Sequence, residues 1–402
     1  MTAQRNSTQR AVAPARGTRP RNRRALILAA AAELFAERGY PQVAMSDIAE
    51  AVAIGPSALY RHFRGKQELL HEVISTAFTA LGVALETDLA DGRAGLDTIA
   101  AAALEHRGVG VLWQREARHL EPERHEELRA ELVAISGRLA AKISGTRVDL
   151  HNQQVDLLAW ATLGSLISVS YHRVQLPRAD YVRLLAQLGA DVLATTFSAE
   201  SGPAAASPSQ VEPTSSTKDA VVSAAMQLFS QRGYHGTSVD DIGAVVGIAG
   251  PSIYHHFPSK PEVLLATIAE GERWLTDDLA RTLAETTSPV EALNRVVRSF
   301  AEYALSHPDA MDVLIAETDA LPSSEQRRVR KVQRDYINAW VDLLRDLHRL
   351  DNGPARIRVQ AAFTVINDVA RTPHLRGAPD IGPAVVAIAS SILGLTVQAP
   401  VE

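Results

Sequence analysis

Residues 27–74 read ILAAAAELFAERGYPQVAMSDIAEAVAIGPSALYRHFRGKQELLHEVI, and residues 221–268 read VVSAAMQLFSQRGYHGTSVDDIGAVVGIAGPSIYHHFPSKPEVLLATI. They align without a gap at an offset of 194 and share 18 of 48 positions, among them Leu34/Leu228, Phe35/Phe229, Arg38-Gly39-Tyr40/Arg232-Gly233-Tyr234, Tyr60/Tyr254, His62-Phe63/His256-Phe257 and Lys66/Lys260. Self-similarity of that density marks a tandem, because each copy is one supersecondary unit used twice.

Each copy predicts three short helices. Ile27, Ala31, Leu34 and Phe35 recur at helical spacing, and Gly39 stops the run. Met45, Ile48, Ala49 and Val52 line a second helix; after Ala53-Ile54-Gly55, Pro56 opens a third with Leu59 and Phe63 inward. Two short helices joined by a tight turn behind a packing helix make a helix-turn-helix, whose third helix suits a major groove.

Outward from the copies the pattern stays helical, with apolar positions three and four apart and nothing that reads as a long strand. The segment SAESGPAAASPSQVEPTSST at 198–217 lacks periodicity and is rich in Ser, Pro, Ala and Gly, which predicts a linker. The expected organisation is a basic arm at 1–24, a head at 25–74, a helical regulatory domain at 75–197, the linker at 198–217, a second head at 218–268 and a second regulatory domain at 269–402. The fold class is all-α.

The 402 residues suffice for several domains, and 46% hydrophobic residues suffice for their cores. The absence of cysteine excludes disulfides, thiolate nucleophiles and Cys-bound metals. The apolar runs Leu157–Tyr171 and Ile381–Val401 are too short or too broken for membrane spans, so a soluble, cytoplasmic protein without membrane contact is expected. No GxSxG, HExxH, GxGxxG or phosphate-binding loop occurs; an enzyme is not expected, nor a metal or cofactor. HLEPERHEEL at 119–128 reads as a solvated loop and helix start.

Net charge is −5, yet residues 1–70 carry ten Arg and one Lys against five acids, and no acid precedes Glu33. An arginine arm on an acidic chain suits a polyanion, because each cation releases condensed counterions. Arg21, Arg23 and Arg24 close this arm, which suits a minor groove or phosphates. The second head, by contrast, is net acidic over 211–265.

The run Gly-Tyr…Asp-Ile…Ile…Tyr-x-His-Phe-x-x-Lys resembles the DNA-binding head of the TetR family of bacterial transcriptional repressors, once in each half. With VLWQREARHL at 111–120, the fused pair is similar to tandem TetR-type regulators of actinobacteria that govern lipid and steroid genes. The resemblance implies a double-stranded DNA operator and a small-molecule effector, here an apolar lipid or steroid derivative that releases a repressor. It implies phosphate contacts from Tyr60, His62 and Lys66 in the first head and from Tyr254, His256 and Lys260 in the second. Base reading is expected from Pro56, Ser57, Ala58 and Arg61, and from Gly250, Pro251, Ser252 and His255. Thr237 and Ser238 are expected to cap the second helix of copy 2 and reach a phosphate; copy 1 has only Ser46 as a substitute. Because Ser57 aligns with Pro251, the operator is expected to have dissimilar halves.

Behind the heads, the family resemblance implies a ligand pocket and a dimer face in each half. Trp113, Glu116, Trp160 and Tyr171, and Trp274, Phe300, Tyr303 and Phe363, are candidate pocket residues beside a plain core reading. The two dimer faces, at 154–197 and 355–396, are expected to close on each other as an intramolecular pseudo-dimer, with further self-association open. The alternatives are a ligand-binding or protein-interaction module whose second head no longer meets DNA, and a helical enzyme.

Overall fold

The computed structural model describes residues 22–86, 93–197 and 216–395. Most of the arm, including Arg21, and residues 198–215 of the expected linker lie outside the described residues. All regular structure among the described residues is helical. In the first half run α1 (Arg23–Arg38), α2 (Met45–Ala51), α3 (Pro56–Leu59), α4 (Lys66–Ala84), α5 (Arg93–Glu105), α6 (Val109–Val111), α7 (Pro122–Thr146), α8 (Asn152–Ile167) and α9 (Arg178–Leu193). The second half runs α10 (Thr217–Arg232), α11 (Val239–Val246), α12 (Gly250–Ile253), α13 (Lys260–Glu285), α14 (Pro289–Ser306), α15 (Pro308–Ala316), α16 (Ser323–His348), α17 (Asn352–Arg371), α18 (Pro373–Arg376) and α19 (Ile381–Leu393).

The described residues form two compact units, 22–86 with 105–135, and 93–104 with 136–197 and 216–395. In the first, Ile27, Ala31 and Phe35 of α1, Ile48 of α2, Leu59 of α3, and Phe63, Leu69 and Leu70 are all buried, with α1 packed on α2 and α4. In the second, the head core repeats this with Val221, Ala225, Phe229, Ile242, Ile253 and Phe257. Helix boundaries follow local chemistry. Ser216 and Asp219 form a reciprocal capping box, so α10 begins at Thr217; of the expected linker, Thr217 belongs to the helix and Ser216 is its cap. Arg23 and Arg24 likewise belong to α1 rather than to a free arm.

The turn between the second and third helices of each head needs left-handed backbone. Copy 2 places Gly247 there at φ 79°, and copy 1 places Ala53 at φ 54°. A Cβ in that conformation is strained, whereas glycine adopts it freely. Ala53→Gly is therefore expected to stabilise the first head and Gly247→Ala to destabilise the second, each by about 1 kcal/mol, measurable as opposite shifts in denaturant midpoint.

The second unit also holds the meeting of the two halves. Helix α8 packs on α17, and α9 packs on α19, while each pair packs within itself. Crossing distance is set at Gly164, where an added Cβ would lie 3.1 Å from Asp368 Oδ2 and 3.6 Å from Val365 Cγ2. Arg358 of α17 donates to Asp191 Oδ2 of α9 at 2.9 Å and to the Ile392 carbonyl of α19 at 2.6 Å. Thr195 donates to Ser391 at 3.1 Å, and His374 pairs with Asp156 at 3.2 Å. The halves thus close on each other within one chain, as a pseudo-dimer.

Candidate nucleic-acid interface and regulatory core

The third helix of each head is a single turn held by its buried side, Leu59 in copy 1 and Ile253 in copy 2, so its other residues stand outward. Tyr60 and Tyr254 are about half exposed despite their rings, and Pro56, Ser57, Arg61, His62, Pro251, His255 and His256 are exposed. Ala58 and Ser252 are half-buried. Each head therefore presents a short ridge of polar and ring side chains clamped from behind by an apolar core, the geometry that a groove-reading helix requires.

Several residues expected at the DNA surface lie elsewhere. Gly250 does not face outward. It is buried, and a Cβ on it would lie 1.9 Å from Asp240 Oδ1 and 3.0 Å from Asp240 Cα. Its partner in the close approach is Gly243, whose Cβ would meet the Ile248 carbonyl at 2.7 Å. These two glycines let α11 and α12 touch backbone to backbone, a packing role rather than base reading. Thr237 is also buried, its hydroxyl donating to the carbonyls of Leu228 at 3.2 Å and Gly233 at 3.0 Å. Ser238 alone caps α11, in a box with Asp241, whose carboxyl is held below its usual range chiefly by the Ser238 hydroxyl and amide. In copy 1, Ala44 has no side-chain cap, Asp47 accepts only the Ala44 N–H, and Ser46 is exposed.

Lys66 turns inward. Its ammonium donates to the carbonyls of Tyr40 at 2.6 Å and Val43 at 2.9 Å and lies 4.1 Å from the Tyr40 ring centre. Lys260 repeats the arrangement on the Tyr234 carbonyl and ring. Burial pulls both ammonium pKa values down, opposed by neighbouring carboxylates. This lysine thus pins the loop before the second helix instead of standing free at a helix start. Arg24 is engaged similarly, paired with Glu72 at 3.2 Å and stacked 4.8 Å over the Phe63 ring.

Glu116, expected to line a pocket, instead fastens the same loop from the other side. It is buried, accepts the Tyr40 N–H at 2.8 Å through Oε2 and pairs with Arg115 at 3.1 Å through Oε1. It sits at the end of a π-helical turn, Leu112–Glu116, which carries it to Gly39. Copy 2 has the buried Glu317 facing Lys260, at an offset of 201 rather than 194. Removing a buried acceptor leaves its donors unsatisfied. Glu116→Ala is therefore expected to cost about 2 kcal/mol, with faster amide exchange at Tyr40 as the local readout.

Residues 27–73 and 221–267 match the family described as bacterial regulatory proteins, tetR family. Both heads thus match, segment by segment, the DNA-binding head described for that family. Residues 286–371 match the tetracyclin repressor-like C-terminal domain, which places a TetR-like regulatory domain behind the second head. Among curated relatives, the HTH-type transcriptional repressor KstR2 of Mycolicibacterium smegmatis is 30% identical over 134 residues, 33% of this chain and 64% of that protein. The HTH-type transcriptional activator FasR of the same organism is 30% identical over 130 residues, 32% and 58% of the two chains. The chain thus spans less than two thirds of these relatives. A solved TetR-family regulator from Bordetella parapertussis aligns with 44% of this chain and 93% of its own at 22% identity and a TM-score of 0.41.

Behind the heads, the other expected pocket residues separate into five settings. Trp113 packs against the edge of Phe78 and stacks on His125 at 5.1 Å. Trp160 meets His374 edge-on at 5.7 Å, so it belongs to the meeting of the halves and not to a pocket, while Tyr171 lies half-buried on the turn after α8. Trp274 stacks on Tyr303 at 3.9 Å, and burial pushes the Tyr303 phenol up to about 12. Phe300 and Phe363 do come together, at 4.7 Å, in a cluster completed by Tyr336 and Trp340 of α16. Neither Tyr336 nor Trp340 is among the residues expected from the sequence, although their i, i+4 spacing on one helix face is a readable signal.

No helix among the described residues is long and apolar enough to cross a membrane, and no group of three or more His, Asp or Glu stands there in metal-holding array.

Proposed function

We propose that this chain is a cytoplasmic, sequence-specific DNA-binding transcriptional regulator, a repressor whose two heads read one operator and whose release is driven by a small apolar effector such as a lipid or steroid derivative. The observation that carries the reading is the duplicated head, in which the same buried face fixes a third helix whose outer residues are exposed. Tyr60, Arg61 and His62, and Tyr254, His255 and His256, are the groups assigned to phosphate and base contacts, with Ser57 opposite Pro251 making the two surfaces unlike. The operator accordingly has dissimilar halves. Ser238 and the uncapped Ala44 add to the inequality at the second helix. Lys66 and Lys260 support the heads through their loops. Similarity to one transcriptional repressor and one transcriptional activator supports gene regulation.

The test is a mobility shift on the DNA flanking the gene, run at two salt concentrations, followed by footprinting. A regulator gives a retarded band that survives excess unrelated DNA. Absence of a band sinks the reading, and a near-perfect palindrome with both halves equally sensitive to mutation sinks the unequal operator.

A further inference from the structure

The close approach of α11 and α12 seats a carboxylate on the outer ridge of the second head. Asp240 is exposed, and one of its oxygens fills the space that a Cβ on Gly250 would take, over the first turn of α12. It shares a helix face with Gly243, three residues on, where an added Cβ would lie 3.0 Å from the Gly250 nitrogen. The neighbouring Asp241 is engaged by the Ser238 cap and by Arg232 at 3.8 Å. No hydrogen bond or ion pair engages Asp240 among the described residues, so its charge is not neutralised within the head.

The first head is built differently at each of these positions. At the offset of 194, Asp240 and Gly250 correspond to the exposed Ser46 and Pro56, and Gly243 to Ala49. The acid and the glycine that makes room for it change together, so a carboxylate lies over the third helix in one head only. An acid in the first turn stabilises a helix start, but Asp47 and Asp241 already serve α2 and α11 in that way. Asp240 is one anion more than the cap of α11 uses, placed beside the residues assigned to DNA.

Next to phosphates such a group is unfavourable unless a donor meets it. The base edges of the major groove differ sharply in that respect. Guanine presents two acceptors, adenine an acceptor beside its amino group, and thymine an acceptor with a methyl group. Cytosine alone presents a donor and no acceptor. A carboxylate held over the reading turn therefore has one fully favourable partner among the four bases, the cytosine N4 amino group. Against the others it faces lone pairs or a methyl group after losing its water, which is discrimination by repulsion.

We infer that Asp240 is a specificity-determining residue of the second head, accepting a hydrogen bond from the N4 amino group of a cytosine in the half-site that this head covers. The assignment rests on the regulator reading and deepens it by naming one base of the unequal operator.

The full chain and Asp240→Ser, which installs the first head's residue, are each used to select sites from randomised duplex DNA. Affinities are then measured by fluorescence anisotropy at fixed salt, with each base pair of the selected site replaced in turn. The unaltered chain should select a cytosine at a position where any other base weakens binding about tenfold. Asp240→Ser should keep the rest of the site and lose the preference at that one position. Its melting temperature should be unchanged, since the Ser238–Asp241 cap and the glycine contact remain, which separates lost reading from lost folding. Tighter binding to all sequences alike would show that the carboxylate only repels phosphate, and would overturn the assignment. A cytosine preference that survives Asp240→Ser, or a site with no such cytosine, would overturn it equally. In each of those cases the chain still selects a site and the regulator reading stands, whereas a chain that selects no sequence loses both.

Discussion

Arg358→Ala should loosen the closed pair of halves by about 3 kcal/mol, the usual cost when one member of a largely buried ion pair is removed. Its guanidinium serves two acceptors, Asp191 on α9 and the Ile392 carbonyl on α19, and both side chains of the pair are mostly shielded. Asp191 would retain only Gln187, which donates to its other oxygen at 2.8 Å. For a cooperative unit of this size the corresponding drop in melting temperature is roughly 6–12 °C. Scanning calorimetry of Arg358→Ala, Asp191→Ala and the double variant gives the coupling directly, and the double variant should lose less than the two single losses added. Additive losses, or a shift of less than a degree, would show that apolar packing alone holds α8 and α9 to α17 and α19. Light scattering of the unaltered chain should show a monomer on dilution, since the face that a separate partner would cover is already occupied.

The second large effect concerns the arm. Deleting residues 1–21 removes Arg5, Arg10, Arg16, Arg19 and Arg21 and leaves Asn22 and the whole of α1. Every phosphate no longer neutralised should flatten the slope of log K against log salt by about 0.9, so the deletion should flatten it by a few units and weaken binding roughly a hundredfold or more at moderate salt, on all sequences alike. The head itself should stay folded, because Arg24 remains paired with Glu72 and stacked on Phe63. With the first head carrying the arm and the second net acidic, Tyr60→Ala should cost more affinity than Tyr254→Ala. Equal losses from the two tyrosine variants, with an unchanged salt slope after the deletion, would show that the charge asymmetry does not govern binding.

The heads are legible in the sequence because one segment occurs twice, and the shared apolar positions name the buried face. The side chains that depart from expectation share a physical cause. Helical spacing tells which way a residue points but not which distant backbone it meets. Lys66 looks like a surface cation at a helix start until the carbonyls of Tyr40 and Val43, more than twenty residues earlier, are seen beneath it. Gly250 lies in the groove-reading turn by position, yet Asp240 occupies the space where its side chain would be. Glu116 and Glu317 escape the repeat because the offset grows from 194 in the heads to 201 behind them. Tyr336 is inconspicuous because an aromatic residue on a long helix is ordinarily core.

If the chain regulates genes as proposed, joining the halves in one chain changes how that control scales with protein number. Two separate subunits of a regulator must first find each other, so at low copy number the competent species grows with the square of the concentration. Here α8 and α9 are covalently bound to their partners α17 and α19, and a tether of this kind gives an effective concentration in the millimolar range. On that reading, operator occupancy rises in simple proportion to the number of chains, and a daughter cell that inherits a single molecule inherits both halves already paired.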